Sequence, residues 1–576
     1  MANTLLDLFE KNHQLLEWRD KVTLLSRQLV MGFSGSSKAV VMASALSEQV
    51  PKILIVTSTQ NEAEQLTGDL SAILGEDKVY SFFADDVVAA EFIFASPEKT
   101  HSRLESLNFL IDKESSGILV TSLVGTKLHL PNPEVYKDSR IDLTLGEEHD
   151  LEALSKHLTH IGYQRVEQVL SPGEFSRRGD ILDIYELTAE LPYRLEFFGD
   201  EIDGIRQFDS DSQKSLDNLE HIIVSPADDI ILTREDYQRA EKALESAVSK
   251  AEGPHKAYLE EVLSVTIDGY RHKDLRKFLS LFYDKAYTLF DYLPKGTPVF
   301  IDDFQKIVDR HGRLELEVAN LLTEDLHQGK SLSHLNYLVD SFKTLRNYQP
   351  ASFFSNFHKG LGNLKFDKLY QFTQYPMQEF FNQFPLLVDE IHRYTKNKAT
   401  VILQVGSEKQ LKSLKETLEE YDLDLPLSSF GDLIPYKPQL VLGNLSNGFY
   451  FADEKLVLVT EREIFHKKVK RRARASHVSN AERLKDYNEL EKGDYVVHQT
   501  HGIGQFKGIE TIEIKGVHRD YLTIQYQDAA TISLPVEQIE SLSKYVSADG
   551  KEPKINKLND GRFQKTKQKV SKQVED

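Results

Sequence analysis

Residues 27–49 read RQLVMGFSGSSKAVVMASALSEQ, and this stretch decides the fold class of the first part of the chain. It opens with a short apolar run typical of a buried strand, and beyond the glycines it has the composition of a helix. Two further apolar runs, PKILIVTST at 51–59 and GILVTSL at 117–123, have the length and composition of buried strands. Strands that alternate with helices predict a parallel sheet covered by helices.

Residues 32–39, GFSGSSKA, form what we call the phosphate-loop segment, because they match in part the loop G-x-x-x-x-G-K-[ST] that cradles nucleotide phosphates. Gly32 and Lys38 fit that pattern, whereas Ser37 replaces the second glycine and Ala39 replaces the hydroxyl residue that holds Mg²⁺. Three interpretations stay open: a degenerate loop kept for structure, a working ATP site, or chance. The departures favour the degenerate loop, which comprises Gly32, Gly35, Ser37, Lys38 and Ala39.

A working ATPase also needs acidic residues at the end of a strand to hold Mg²⁺. Asp302 and Asp303 in VFIDD are one candidate pair, and Asp389 and Glu390 in LLVDE are another. The second pair lies in 377–396, where apolar residues recur at helical spacing and predict a helix. We therefore expect the first pair to form a turn after a strand and the second pair to lie on a helix surface.

The composition indicates a soluble globular protein of several domains: 576 residues, of which 40% are hydrophobic and 28% are charged. The chain has no cysteine, which excludes disulfides, thiolate metal sites and cysteine nucleophiles. Its formal net charge of -20 disfavours binding of nucleic acid by the surface as a whole, so any such contact needs a local basic patch. The run KKVKRRAR at 467–474 is that patch, and it is either a solvated linker or a phosphate-contacting segment.

Changes in composition and hydrophobic pattern along the chain predict a multidomain α/β protein. After about residue 130 the strand-like runs are separated by Gly, Pro and Asp turns, which predicts a β-rich insert. Beyond 489 apolar and polar residues alternate between closely spaced glycines, which predicts a small β-barrel. The predicted segments are an α/β domain, first part, at 1–125; the β-rich insert at 126–228; the mostly helical second part of the first domain at 229–348; a small α/β domain at 349–462; a basic linker helix at 463–488; the β-barrel at 489–547; and a final linker at 548–576.

Three blocks resemble the bacterial transcription-repair coupling factors. GYQRVEQVLSPGEFSRRGDILDIYE at 162–186 and LPYRLEFFGDEIDGIRQFD at 191–209 are similar to the module that this family shares with the excision-repair protein UvrB. GDYVVHQTHGIGQFKGIE at 493–510 is similar to its RNA polymerase-interacting domain, which is related to the CarD family. The resemblance implies a degenerate P-loop NTPase-like (UvrB-like) module with a β-rich insert, a second small α/β domain, and a C-terminal SH3/Tudor-like (CarD-like) β-barrel.

Family members are about twice as long, so the resemblance implies that this chain is the N-terminal half without the C-terminal translocase motor. It implies an adaptor that binds the RNA polymerase β subunit through the barrel and recruits UvrA through the insert. ATP, Mg²⁺ and most binding of double-stranded DNA would belong to the motor, which displaces stalled polymerase at lesions. We therefore expect this chain to have no catalytic residue, metal or cofactor of its own, and to be a monomer in the bacterial cytoplasm, away from membranes. The alternatives are a UvrB-like ATP-dependent DNA repair enzyme that uses the 32–39 loop, and a free-standing CarD-type transcription regulator.

The resemblance also places candidate contact residues. An arginine fork can hold a carboxylate bidentately, although an arginine on a strand is equally an ordinary solvated residue. Phe197 and Phe198 are adjacent, so one should face the core and the other the opposite side. His498 and His501 are expected to be structural. The candidates for UvrA are Arg165, Arg177, Arg178, Arg194 and Arg206, and those for RNA polymerase are Ile512, Ile514 and Lys515, with barrel core as the other role open to the two isoleucines.

Overall fold

The computed structural model of the chain describes residues 4–7, 12–86, 97–210, 212–355, 361, 364–466, 493–498, 502–514, 517–527, 531–535 and 542–544. It divides into two units, Met1–Arg140 with Ser225–Ala475 and Ile141–Val224 with Ser476–Asp576. In these described ranges, no helix is both long enough and apolar enough to cross a bilayer. The chain is a multidomain α/β protein with a parallel sheet and smaller β-rich parts.

The first unit contains a seven-stranded sheet, the first sheet, in which every neighbouring pair of strands is parallel. Its interior strand Lys52–Thr57 is buried at every position, as expected for a sheet with both faces covered. The predicted strand, turn and helix at 27–49 are confirmed as the strand Arg27–Met31 and the helix Ser36–Ala43. In spatial order the strands are Lys368–Gln371, Arg27–Met31, Ala351–Ser355, Val299–Asp302, Lys52–Thr57, Gly117–Ser122 and Val79–Phe82.

Some helices of this layer begin at conventional capping residues. Thr59 accepts a hydrogen bond from the Glu62 N–H, and Thr233 forms a reciprocal capping box with Asp236. These contacts satisfy N–H groups that the first turn of a helix leaves without partners. The helices are His13–Lys21, Ser36–Ala43, Gln60–Leu74, Pro97–Ile111, Pro133–Asp138, Arg234–Val248, Gly253–Ile267, Leu275–Phe282, Leu289–Tyr292, Phe304–His327 and Phe342–Asn347.

The same unit contains a second, six-stranded sheet. One apolar cluster includes residues of both sheets, for example Phe300 of the first and Val441 of the second, so the two layers share a core. The strands in spatial order are Gln374–Pro376, Phe449–Phe451, Leu456–Val459, Thr400–Val405, Pro438–Leu442 and Leu427–Ser428, and the helices are Phe384–Lys396, Glu408–Glu419 and Glu461–Phe465.

The helix predicted over 377–396 is wrong at its start, because it begins only at Phe384. Phe381 and Asn382 have φ of 50° and 63°, left-handed values that cannot continue into a right-handed helix. Pro385 follows in the first turn, where its missing N–H costs nothing, whereas a helix extended further upstream would lose a hydrogen bond there. The expected helix surface position of Asp389 and Glu390 is confirmed.

In the second unit, the described part of the insert is a six-stranded sheet, the insert sheet, next to a two-stranded pair of Ile141–Thr144 with His221–Val224. The predicted β-rich character of the insert is confirmed. Its described residues also include the helix Leu151–His160, which is capped by Asp150. The strands of the insert sheet in spatial order are Ser215–Leu219, Glu201–Phe208, Tyr193–Phe198, Ile181–Ile184, Glu174–Arg178 and Gln164–Arg165.

The described residues beyond 492 form a five-stranded antiparallel sheet. Its strands in spatial order are Thr531–Pro535, Val517–Gln525, Gly502–Ile514, Tyr495–His498 and Leu542–Lys544. The strands predicted for this region are thus present, while closure into an SH3/Tudor-like barrel stays a prediction.

Candidate functional site

The backbone of the phosphate-loop segment requires its two glycines. Gly32 has φ of 99°, and a Cβ there would lie 2.0 Å from the carbonyl oxygen of Phe372. Gly35 has φ of 58° and precedes the helix Ser36–Ala43. Both conformations disfavour any residue with a side chain, so the loop keeps the glycine-dependent turn of a strand-to-helix phosphate loop.

The interior of this turn is filled by a side chain from the second sheet. Gln374 Oε1 accepts hydrogen bonds from the Ser34 N–H at 2.9 Å and from the Ser37 hydroxyl at 2.6 Å. Ser37 Oγ also accepts from the Ser34 N–H at 3.1 Å, and Ser37 is fully buried. The residue that replaces the expected glycine therefore supplies a hydroxyl that fixes the loop against another part of the chain.

A second contact lies at the first turn of the helix. The Asn447 N–H donates to Ser36 Oγ at 2.9 Å, and the Ser36 hydroxyl donates to Asp69 Oδ2 at 2.8 Å. Asp69 Oδ1 accepts from the Ser446 N–H at 2.8 Å, so both oxygens of this buried carboxylate are used. A buried carboxylate is tolerable only with such partners.

The charged residues of the segment are also engaged. Lys38 Nζ lies 2.5 Å from Asp302 Oδ1, with the two side chains 17% and 14% exposed. Asp302 is the last residue of the strand Val299–Asp302, and Asp303, with φ of 53°, leads directly into the helix Phe304–His327, so the predicted pair lies at the strand end but only Asp303 connects strand to helix. Ala39 is fully buried and brings no oxygen to a metal. In a phosphate loop the lysine binds β- and γ-phosphate oxygens, whereas here it binds a carboxylate of the same chain.

Further ion pairs cover the same edge of the first sheet. Lys306 Nζ lies 2.8 Å from Glu62 Oε1, and the Ser58 hydroxyl donates to Glu62 Oε2 at 2.6 Å. Burial acts to raise the pKa of Glu62, but these two hydrogen bonds outweigh it and lower the pKa below its usual value. Burial raises the pKa of Asp86, which accepts the Gln60 N–H at 2.9 Å. Among the residues that the structure describes, no group of histidine and carboxylate side chains is placed to hold a metal ion.

In the insert sheet, Arg194 belongs to a buried ion pair. Its Nε lies 2.7 Å from Asp183 Oδ1 and its Nη2 lies 2.9 Å from Oδ2, which is the bidentate geometry expected of a guanidinium. The Asp183 side chain has no exposed surface, and Arg178 Nη2 also binds it, at 2.7 Å. The Arg194 guanidinium lies 4.4 Å from the centre of the Phe208 ring. Arg194 is therefore held mainly by its own domain, with 14% of its side chain exposed.

The strand register divides the five candidate arginines between two faces. Arg194 lies opposite Asp183 on one neighbouring strand and opposite Arg206 on the other, so these three side chains lie on the same face of the sheet. Side chains alternate between the two faces along a strand, so Arg178 shares the face of Asp183 and Arg177 does not. Arg206 forms an ion pair with Glu196 on that first face. Arg178, Arg194 and Arg206 thus share one face, while Arg165 and Arg177 share the register of Phe175 on the other.

The adjacent phenylalanines confirm the expected alternation. Phe197 is 6% exposed and packs in the core, whereas Phe198 is 81% exposed at the end of its strand. Exposed aromatic side chains of this kind are enriched at protein interfaces, and this one lies beside the ion-paired face that carries Glu196. Its role as a contact stays a prediction, as do the roles of the five arginines.

In the C-terminal sheet, Ile512 and Ile514 lie on the strand Gly502–Ile514, where Ile512 is opposite Arg519 and Ile514 is opposite Val517. The described strand Tyr495–His498 pairs with that strand only over residues 502–505. Within the described residues, positions 509–514 therefore have a ladder partner on one side, which is the open edge that strand addition requires. Lys515, His501 and the basic run 467–474 lie outside the described residues.

Two features of the first unit were missed by sequence reasoning. Gln374 and Asn447 reach the phosphate-loop segment from far along the chain, and no local pattern marks them. Arg103 and Arg276 clamp Asp229 within the core, at 3.0 Å and 2.5 Å respectively. Burial acts to raise the pKa of Asp229, but the two guanidinium groups overcome it and hold the pKa well below its usual range.

Three regions of the chain match known protein domains. The UvrB interaction domain matches residues 141–229, the MFD, D3 domain matches 394–464, and the CarD-like/TRCF RID domain matches 490–546. These domains define a class of multidomain proteins that combine a UvrB-like module with an RNA polymerase-interacting module.

Curated relatives extend the likeness beyond these domains. The transcription-repair-coupling factor of Bacillus subtilis (strain 168) is 34% identical over 564 residues, which cover 96% of this chain and 48% of that protein. Those of Staphylococcus aureus (strain bovine RF122 / ET3-1) and Staphylococcus haemolyticus (strain JCSC1435) are 30% and 31% identical over 558 residues, covering 95% of this chain and 48% of each relative. The chain is therefore similar, over nearly its whole length, to the N-terminal half of transcription-repair-coupling factors. It spans about half the length of the curated relatives it matches.

Proposed function

We propose that the chain is the adaptor half of a transcription-coupled DNA repair factor, which binds the RNA polymerase β subunit through its C-terminal sheet and recruits UvrA through the insert sheet. The observation that carries this proposal is the presence, in one chain, of matches to the UvrB interaction domain and to the CarD-like/TRCF RID domain. The activity of a complete factor, an ATP- and Mg²⁺-dependent translocase on double-stranded DNA, is assigned to parts outside this chain.

The geometry of the C-terminal sheet supports the polymerase contact. A strand with one open side can extend a partner sheet through main-chain hydrogen bonds, which are insensitive to sequence, while a few side chains add specificity. Residues 509–514 offer such a side among the described strands, and Ile512 lies within them. An apolar residue at this position would add buried area to the shared ladder.

The geometry of the insert sheet supports the UvrA contact. Arg178 is half exposed although it pairs with Asp183, so part of its guanidinium can meet a partner carboxylate. Arg165 is exposed on the other face, on the edge strand Gln164–Arg165. Phe198 adds an apolar anchor. The two faces present different chemistry, so single substitutions can identify which one UvrA uses.

The first test is binding of this chain to the isolated N-terminal lobe of the polymerase β subunit, with and without Ile512→Asp. A charged side chain at the edge should abolish binding, because a partner strand would bury it without a counter-ion. Thr531→Asp, at an exposed position of the same sheet, is the matched control and should bind as the wild type does. Circular dichroism establishes that both variants fold. Absence of binding by the folded wild type would contradict the polymerase half of the proposal.

A further inference from the structure

The phosphate-loop segment is hydrogen-bonded to a side chain of the same protein, that of Gln374. Gln374 Oε1 accepts hydrogen bonds from the Ser34 N–H at 2.9 Å and from the Ser37 hydroxyl at 2.6 Å. In a working loop, backbone N–H groups of this turn point at phosphate oxygens. The amide oxygen of Gln374 therefore occupies the role of an anionic oxygen, at the end of a strand that belongs to the second sheet.

The substitution that spoils the nucleotide motif is the one that makes this contact. A glycine at position 37 would have no hydroxyl to donate to Gln374 or to accept from the Ser34 N–H. The serine at this position instead supplies a partly buried hydrogen bond between two layers of the fold. The departure from the motif thus has a structural use.

Asn447, in the connection between the strands Pro438–Leu442 and Phe449–Phe451 of the second sheet, closes the other side of the loop. A Cβ added at Gly35 would lie 3.0 Å from the Cβ of Asn447, so the Asn447 side chain packs directly over the turn. Its N–H binds Ser36, and the preceding N–H binds Asp69. The first turn of the helix Ser36–Ala43, where a nucleotide phosphate would approach, is covered by this loop of the second sheet.

Apolar contacts also join the phosphate-loop segment to the second sheet. The Phe33 ring lies 4.6 Å from that of Phe372 and 5.6 Å from that of Phe451, counted between ring centres. Phe33 is 3% exposed and belongs to the cluster that contains residues of both sheets. The variable position after the first glycine of the loop therefore serves as an anchor between the layers.

We propose that the second sheet, which includes the region matched by the MFD, D3 domain, is a built-in plug for the phosphate loop. Gln374 and Asn447 take the place of a nucleotide, and Lys38 is neutralised by Asp302. The plug holds the strand Arg27–Met31 and the helix Ser36–Ala43 in one arrangement at all times, without ATP. This role does not depend on binding to polymerase or to UvrA.

Hydrogen–deuterium exchange of the purified chain tests the plug. Gln374→Ala should accelerate exchange of the amides at 33–40 several-fold, because the Ser34 N–H loses an acceptor and the loop loses its filling. Gln378→Ala, at an exposed glutamine in the same segment, is the matched control and should leave that exchange unchanged. Unchanged exchange at 33–40 in Gln374→Ala would overturn the proposal.

Two further measurements test whether the effect comes from the contact between Ser37 and Gln374 and whether the loop is closed to anions. Ser37→Ala should accelerate the same amides, and the double variant with Gln374→Ala should add little to either, because both remove one contact. In the wild type, millimolar inorganic phosphate or Mg-ATP should give these amides no protection. Protection by either would show an open anion site and would overturn the plug. Circular dichroism identifies a variant that fails to fold, and Asn447→Ala then serves as the alternative probe.

Discussion

Lys38 Nζ and Asp302 Oδ1 lie 2.5 Å apart, joining the start of the helix Ser36–Ala43 to the end of a strand more than 250 residues later in the sequence. The two residues have the types that a nucleotide-hydrolysing site uses for phosphate and for Mg²⁺. Here each satisfies the other. The pair locks the edge of the first sheet and leaves neither charge for a ligand.

The first prediction concerns restoration of the motif. Ser37→Gly combined with Ala39→Thr recreates the consensus loop, yet the double variant should show no ATP binding, because Gln374 and Asn447 still fill the turn. The variant should also be less stable than the wild type, since the hydrogen bond of Ser37 is lost and Ala39 is fully buried.

Isothermal titration with Mg-ATP measures the first effect and chemical denaturation the second. Lys38→Gln is a useful control, because it removes the loop cation without restoring the motif. Clear ATP binding by the double variant would mean that the UvrB-like enzyme interpretation deserves preference over the adaptor.

The second prediction concerns the clamp on Asp229. Asp229→Ala leaves the guanidinium groups of Arg103 and Arg276 without their shared carboxylate, and Arg103 is 1% exposed. Loss of one partner of a buried ion pair costs about 3–5 kcal/mol of unfolding free energy. Asp142→Ala removes the mostly exposed partner of His221 and should cost under about 1 kcal/mol. Urea denaturation compares the two, and equal losses would contradict a special role for the buried clamp.

The third prediction gives the pH dependence of that clamp. The pKa of Asp229 is lower in the folded chain than in the unfolded chain, where it is near 3.9. On acidification the unfolded chain takes up this proton first, so the contribution of the clamp is complete above about pH 5 and declines as the pH falls below about 4. The difference in unfolding free energy between wild type and Asp229→Asn should therefore shrink towards pH 3. A difference that grew on acidification would contradict the assignment.

The fourth prediction separates structural arginines from contact arginines. Arg194→Ala leaves the fully buried Asp183 with only Arg178 and should lower the stability of the insert by about 3 kcal/mol. Arg165→Ala changes an exposed residue and should alter stability by less than about 0.5 kcal/mol. Thermal unfolding of each variant shows which arginine stabilises the insert. UvrA binding, measured at a temperature where both variants are folded, shows which arginine contacts UvrA. If Arg194→Ala were as stable as the wild type, the buried pair would not be important to the fold.

The fifth prediction concerns the two adjacent phenylalanines. Phe197→Ala should destabilise the insert by about 3–5 kcal/mol, because it removes a buried aromatic side chain. Phe198→Ala should leave stability within about 0.5 kcal/mol and weaken UvrA binding, because the 81% exposed ring is available to a partner. Pull-down with UvrA measures binding. Unchanged binding in a folded Phe198→Ala chain would remove this ring from the proposed contact.

Local features of the fold could be predicted from the sequence. The strand, turn and helix at 27–49 follow from apolar runs and glycines that lie next to one another, and the opposite exposure of Phe197 and Phe198 follows from the geometry of one strand. The start of the helix at Phe384 was not predicted, because the apolar spacing continues upstream of the left-handed turn at Phe381 and Asn382.

Relationships between distant segments could not be predicted in this way. Ser34 and Gln374 are separated by 340 positions, and nothing in the residues around Gln374 marks it as a partner of a phosphate loop. The division of the arginines between two faces depends on strand register, which sequence patterns leave open when both faces carry polar residues. Ion pairs such as Arg194 with Asp183 similarly become visible only once neighbouring strands are aligned.

The position of the strand Arg27–Met31 within the first sheet has a consequence for biosynthesis. Its two neighbours are Ala351–Ser355 and Lys368–Gln371, about 320 or more residues further along the chain. At roughly 5–20 residues per second, the ribosome needs on the order of 20 s to a minute to deliver them. During that interval the apolar strand has no partner in its final sheet, so newly made chains should be most sensitive to aggregation and to chaperone supply before residue 371 emerges.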